Sequence, residues 1–152
     1  MLTKELLNEF SEVEDEIFTL NEFLYKNPEL GYEEIKSHKE ITKLISRNIS
    51  TAKIKKVSEM PTAFTGLINK KGTSQKTISI CIEYDSLPGI GQACGHNIIS
   101  SMGIGAFYLL SKNMNNLSDA IQIVGCPAEE ILPLSLKNGG GGGKIKLLEK
   151  GV

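Results

Sequence analysis

The chain has 152 residues, 40% of them hydrophobic and 23% charged, with a formal net charge of −1 at pH 7. That is the length and balance of one globular domain burying ~70% of its unfolded surface, and it excludes the strong field that draws a protein to nucleic acid or an anionic membrane. Three cysteines, Cys81, Cys94 and Cys126, are too few and too odd in number for the disulfide framework of a small secreted domain, so the sequence predicts free thiols in a reducing, cytoplasmic setting.

The opening MLTKELLNEFSEVEDEIF is acidic and amphipathic, unlike a secretory leader, and no apolar run reaches membrane-spanning length. Leu6, Phe10, Val13, Ile17, Leu20 and Leu24 recur at steps of four and three, which predicts one core-packing helix over the first 26 residues. In NPELGYEE, Pro28 disfavours helix at Asn27 and Gly31 interrupts again. Ile35, Ile41, Leu44 and Ile45 then restore the helical spacing, predicting a second helix from about Glu33 to Asn48.

Strand alternation and β-branched residues mark TAKIKKV (51–57), AFTGLINK (63–70) and TISICIEY (77–84), and the polar KKGTSQ predicts a hairpin between the last two. From Asn97 to Lys112 the chain is apolar nearly all round and dotted with small residues, as in a helix packed tightly on a sheet. AIQIVGC (120–126) reads as a buried strand. Strand, loop, helix and strand make a βαβ unit, whose sheet is covered on at least one face and whose ligands gather at the carboxyl ends of the strands. Those ends carry Asp85 with the loop through His96, and PAEE (127–130). Beyond ILPLSLKN lie five glycines, Gly139 to Gly143, and a short helical KIKLLEK.

Cys94 and His96 straddle Gly95, so a thiolate and an imidazole can converge on one cation, and a helix starting near Asn97 favours the thiolate. A buried thiol beside a hydrogen-bonded histidine is the other reading. The adjacent carboxylates Glu129 and Glu130 point in different directions along extended backbone, so one can bind a metal while the other takes a proton from water and hands it to a leaving amine; a solvated acidic turn remains the alternative. Asp85 directly follows a strand and can orient a ligating imidazole through its second ring nitrogen, or simply form an Asx turn before SLPG. His38, in the charged KSHKE, is expected to face solvent. Met60, Met102 and Met114 read as core or surface filler.

Rival motifs fail. GGGGGKI has Asn138 and Ile145 where a phosphate loop needs glycine and serine or threonine, and GIGQACG misses the dinucleotide spacing and has no acidic residue at a strand end about 20 positions on. Cys94 is poorly placed as a nucleophile, because residues two apart do not transfer a proton readily from thiol to imidazole.

EYDSLPGIGQACGHN, with the upstream NPELGYEE and the downstream GCPAEE and GGGGKIKLLEKGV, resembles the metal-dependent amidohydrolases and peptidases that include aminoacylases, indole-acetyl-amino-acid hydrolases and aminobenzoyl-glutamate hydrolases. The similarity runs from about Glu16 to Val152, in four separate motifs in the family's order. It implies an α/β fold: a three-layer, zinc-peptidase-like catalytic domain with a mixed sheet flanked by helices, of which residues 1–152 are the N-terminal part. It further implies hydrolysis of an amide or peptide bond in a small N-acyl-amino acid, aminobenzoyl-glutamate or dipeptide-like substrate. Cys94, His96 and Glu130 match the family's metal ligands, Glu129 its general base, and Asp85 the acid that supports the histidine. Zinc suits the thiolate and imidazole, manganese or another divalent ion also suits mixed N, O and S donors, and full-length relatives hold two ions. Those relatives are considerably longer, draw further histidine ligands from later in the chain, add a lid or dimerisation domain and are expected to be homodimeric. They also pass almost directly from the glutamate pair into the glycine run, where this chain inserts ILPLSLKNG (131–139). The alternative reading is therefore an inactive remnant, or one half of a split enzyme, that at most binds metal or a partner. An unpaired sheet edge predicts self-association.

Overall fold

A computed structural model of the chain describes residues 3–69, 76–130 and 142–152. Helix α1 spans Lys4–Ser11, capped by the Thr3 hydroxyl, which accepts from the Leu6 amide at 3.4 Å. Helix α2 spans Glu14–Lys26. The single helix expected over the first 26 residues is thus two. Glu12 and Val13 close α1 by donating back to Glu9 and Phe10, and the carbonyl of Val13 then receives the first bonds of α2. Glu14, Asp15 and Glu16 favour a fresh amino terminus there, since carboxylates complement the positive end of a helix. The apolar stripe survives the break from Val13 onward, with Ile17, Leu20 and Leu24 buried.

Helix α3 spans Ile35–Asn48 and buries Ile41, Leu44 and Ile45. His38 does not face solvent as expected. It lies one turn before Ile41 on the same face, half-buried, with Nδ1 3.0 Å from the Thr62 carbonyl and its ring edge-on to Phe64. Burial holds its pKa below the ordinary value.

Strands β1 (Lys53–Val57), β2 (Met60–Ile68), β3 (Thr77–Glu83) and β4 (Ala120–Cys126) form one sheet in the order β1-β2-β4-β3. β1 and β2 are antiparallel, with Lys53 opposite Leu67; β2 and β4 are antiparallel, with Phe64 opposite Gly125; β3 and β4 are parallel, from Thr77 beside Ala120 to Glu83 beside Cys126. The hairpin expected between residues 63–70 and 77–84 does not form, because β4 lies between those strands. Solvent exposure explains the order: β4 is buried almost throughout, whereas β3 exposes Thr77, Ile78, Ser79 and Cys81 and so suits an edge. KKGTSQ (70–75) and ILPLSLKNG (131–139) lie outside the described residues.

Helix α4 (His96–Lys112) connects β3 to β4. With α2 and α3 it covers one face of the sheet, burying Phe64, Ile82, Ile104, Phe107, Ile121 and Ile123. On the other face α5 (Gly143–Glu149) lays Leu147 against Met60, Ala63, Val124 and Cys126. Helices, mixed sheet and helix are the three layers of the predicted α/β class. Cys81, Cys94 and Cys126 are free thiols. No helix among the described residues is long and apolar enough to cross a membrane.

Candidate metal centre

The parallel pairing of β3 with β4 sets Glu83 beside Cys126, so the segments that follow both strands leave the sheet at one rim. Tyr84 anchors the first: it is fully buried, stacks on Phe64 and donates its hydroxyl proton to the Thr62 carbonyl. Ser86 next donates to the Glu29 carbonyl through both its amide and its hydroxyl, at 2.8 Å each, and Leu87 pairs with Gly91 to turn the chain back. Gly95 then caps α4 at φ 77, a left-handed conformation that a side chain would strain, and delivers His96 as the first helical residue. This is the physical use of the glycine between Cys94 and His96.

His96 is 3% exposed. Its Nδ1 lies 3.0 Å from both the carbonyl oxygen and Oδ1 of Asp85; direction favours the carbonyl, leaving Oδ1 attracted by charge but without a hydrogen-bond partner among the described residues. Oδ2 of the fully buried Asp85 accepts from the Glu130 amide at 2.9 Å, so one carboxylate ties the imidazole to the second strand end. On the other side of the ring, Nε2 lies 3.1 Å from Glu83 Oε2 and 3.7 Å from Glu130 Oε1. The Cys94 thiol lies close enough to the Glu130 carboxylate to feel its charge. Cys94, His96, Asp85 and Glu130 are therefore neighbours, although they derive from two strand ends.

Glu129 points elsewhere. Its Oε1 accepts from the Lys144 amide at 2.8 Å, and its Oε2 lies 3.0 Å from Lys144 Nζ, which also pairs with Glu83. Gly143 makes this approach possible: its amide donates to the Ala128 carbonyl at 3.2 Å, and a Cβ there would overlap the Pro127 carbonyl. Glu83 and Lys144 were not singled out in the sequence. Glu83 had one signal, since it stands two residues before Asp85 on an extended chain and so shares its side; Lys144 lies within GGGGKIKLLEKGV with no role marked by its spacing.

The electrostatics of the rim are those of an anionic pocket. The nearby Glu130 carboxylate, together with burial and the charges of Asp85 and Glu83, pushes the Cys94 pKa up to about 11. Burial works against the His96 cation, but Asp85 and Glu83 outweigh it and raise that pKa. Burial likewise opposes the Asp85 anion, yet His96 and the Glu130 amide hold its carboxyl below the usual range. Burial disfavours the Lys144 ammonium too, and Glu83 and Glu129 more than compensate. Among the described residues no group of three or more His, Cys, Asp or Glu is already set to hold a metal ion. The donor set nonetheless fits one: sulfur, imidazole nitrogen and carboxylate oxygen sit together at one rim. Cys94, His96 and Glu130 would hold it.

No protein-family model matches the chain. Over 167 aligned residues, covering 99% of the chain, it is 31% identical to thermostable carboxypeptidase 2 of Saccharolobus solfataricus, and the match covers 39% of that protein. It is 29% identical to the Xaa-Arg dipeptidase of Mus musculus, covering 100% of the chain and 36% of the relative. An IAA-amino acid hydrolase of Arabidopsis thaliana is 31% identical over 85% of the chain and 29% of its own length. The chain thus spans well under half the length of these curated relatives. In fold it is similar to a Bacillus subtilis dinuclear metal binding peptidase of the M20 family, with a TM-score of 0.78 at 23% identity over 93% of this chain and 40% of that one. It is also similar to an aminobenzoyl-glutamate utilization protein of Klebsiella pneumoniae, with a TM-score of 0.61 at 11% identity over 82% of this chain and 39% of that one. In sequence the chain is similar to peptidases and amino-acid hydrolases, and in fold to a dinuclear metal binding peptidase of the M20 family.

Proposed function

We propose that this chain supplies the metal-binding rim for hydrolysis of an amide or peptide bond next to an amino acid, with Cys94, His96 and Glu130 as ligands and Glu129 as general base. The observation that carries the reading is the clamp on His96: Asp85 lies 3.0 Å from Nδ1, and Nε2 faces the carboxylates of Glu83 at 3.1 Å and Glu130 at 3.7 Å, with Cys94 close to Glu130. A carboxypeptidase, a dipeptidase and an IAA-amino acid hydrolase share cleavage of a carbon–nitrogen bond between an acyl group and an amino acid or its residue. That supports a small N-acyl-amino acid, aminobenzoyl-glutamate or dipeptide-like substrate.

A bound divalent ion would polarise the scissile carbonyl and acidify water. Zinc is favoured by sulfur and nitrogen donors, and manganese is the other candidate. The rest falls to the chain's own residues. Glu129, held by Lys144, accepts a proton at its carboxylate and returns it to the departing amine. Asp85 faces Nδ1 and so orients the ring with Nε2 toward the cation position. The free thiols support a reducing, cytoplasmic setting.

Calorimetric titration of the purified chain with zinc and with manganese, followed by amide hydrolysis on a panel of N-acyl-amino acids, aminobenzoyl-glutamate and dipeptides, tests the proposal. Stoichiometric binding that is lost in Cys94→Ser and Glu130→Gln is expected, with turnover lost in Glu129→Gln while binding remains. A parent chain that takes up neither ion would overturn it.

A further inference from the structure

Glu34 has no part in the chemistry above, yet its carboxylate is completely buried at the start of α3. Burying an anion is unfavourable unless its lone pairs are filled. Each oxygen here has a donor: Oε1 accepts from the Ala128 amide at 2.8 Å, and Oε2 accepts from the Thr62 hydroxyl at 2.8 Å. Ala128 stands one residue before Glu129, and its φ of 53 is left-handed, a conformation that a residue with a side chain keeps only when its surroundings impose it. The opposite wall is Gly31, where a Cβ would lie 2.8 Å from Ala128 Cβ and 2.9 Å from its Cα.

The turn at Ala128 matters for direction. A chain continuing β4 straight past Cys126 would carry both glutamates off the rim. The turned chain instead brings the Glu130 amide to Asp85 Oδ2 and Glu129 Oε1 to the Lys144 amide. We infer that Glu34 is a positioning residue of the metal centre, reaching across from α3 to hold Ala128 in its left-handed turn and so set Glu130 beside His96 and Glu129 on Lys144 at the same rim. The inference rests on the reading of this rim as a metal site.

Two mild substitutions separate length from charge. Glu34→Gln keeps an acceptor for the Ala128 amide, and the Thr62 hydroxyl can rotate to accept from the new amide group. Glu34→Asp keeps the charge but falls one methylene short. Zinc affinity, measured by competition titration, is expected to stay within about threefold of the parent in Glu34→Gln and to drop ~10–100-fold in Glu34→Asp, the usual effect of disturbing a residue that supports a ligand. Parental affinity in Glu34→Asp, or equal loss in both variants, overturns the proposal. If Glu34→Asp does not fold, Gly31→Ala presses on Ala128 without touching Glu34 and is expected to show the same loss, parental affinity again being the contrary result. Amide exchange of the metal-free chain reads the positioning separately: in Glu34→Asp the amides of Ala128 and Glu130 should exchange faster while β2 and β4 do not change. Should the parent bind no zinc, the metal reading fails, and exchange alone decides: acceleration confined to residues 128–130 sustains the positioning, and its absence refutes it.

Discussion

Gly143→Ala sets two physical effects against each other, and the structure decides the sign. Alanine gains ~0.5–1 kcal/mol over glycine inside a helix, so propensity alone predicts stabilisation, though less at this first position of α5. Against it, the added Cβ would overlap the carbonyl of Pro127, which is backbone and cannot swing aside as a side chain would. Forcing extra volume into such a contact costs ~1–3 kcal/mol. The escape route, lifting α5 off the sheet, exposes Leu147, now 3% exposed, and forfeits ~1.5–3 kcal/mol of apolar burial. Either way a net loss of ~1–2 kcal/mol remains, which for a domain of this size lowers the melting temperature by ~2–8 °C. Thermal unfolding followed by circular dichroism measures it. A variant melting at or above the parent temperature would show that helix propensity governs, and that α5 is not docked on Pro127.

Further predictions concern the rim, the acid limb and the sheet edge. Asp85→Asn keeps the size of the side chain but removes the charge that faces His96 Nδ1; zinc affinity is expected to fall ~10–100-fold, and unchanged affinity would remove Asp85 from the site. Lys112 and Tyr108 hold the Glu12 carboxyl below its ordinary 4.5. A depressed carboxyl contributes stability above its unfolded pKa and loses it as pH falls through the lowered folded value. Parent and Glu12→Gln melting curves should thus converge on acidification through and below pH 4.5, and a gap that persists in acid contradicts the assignment. At the edge, β3 from Thr77 to Ile82 has no charge, proline or glycine to guard it, Ile78 is 52% exposed, and no strand among the described residues pairs its outer side. The parent is expected to elute from size exclusion as associated species and Ile78→Lys as a monomer; identical profiles would place any self-association elsewhere.

What the sequence made legible follows from what periodicity encodes. α2, α3 and α4 bury residues at helical spacing and β4 is a nearly continuous apolar run, and both signals are visible locally. The break at Val13 is not, because the apolar stripe runs through it and only the acidic triplet behind it hints at a new amino terminus. Strand order escaped as well: a polar linker between two strand-like runs looks like a hairpin, and only the relative burial of β3 and β4 shows which strand takes the centre. At the rim, Cys94, His96, Asp85, Glu129 and Glu130 stood out because a βαβ unit brings two strand ends together. Glu34, Glu83 and Lys144 look like solvated charges in sequence, and their meaning lies in partners 94 residues away for Glu34 and 61 apart for Glu83 and Lys144.

The grouping of these charges has a thermodynamic consequence. Glu83, Asp85, Glu129 and Glu130 face one ammonium, Lys144, and one imidazole, His96, within a partly buried rim. Like charges at such spacings repel more strongly than at the open surface, because the effective dielectric is lower. The metal-free fold meets this by favouring the protonated forms of Cys94 and His96, and a divalent cation would relieve the same repulsion while joining both strand ends. Binding should therefore appear as folding stability: zinc at a hundred times its dissociation constant contributes ~2.7 kcal/mol, or a rise of ~5–11 °C in melting temperature for a chain of this length. The rise should vanish with chelator and in His96→Ala, and proton release should accompany it. A shift of the same size in His96→Ala would mean that zinc stabilises the chain from somewhere other than this rim.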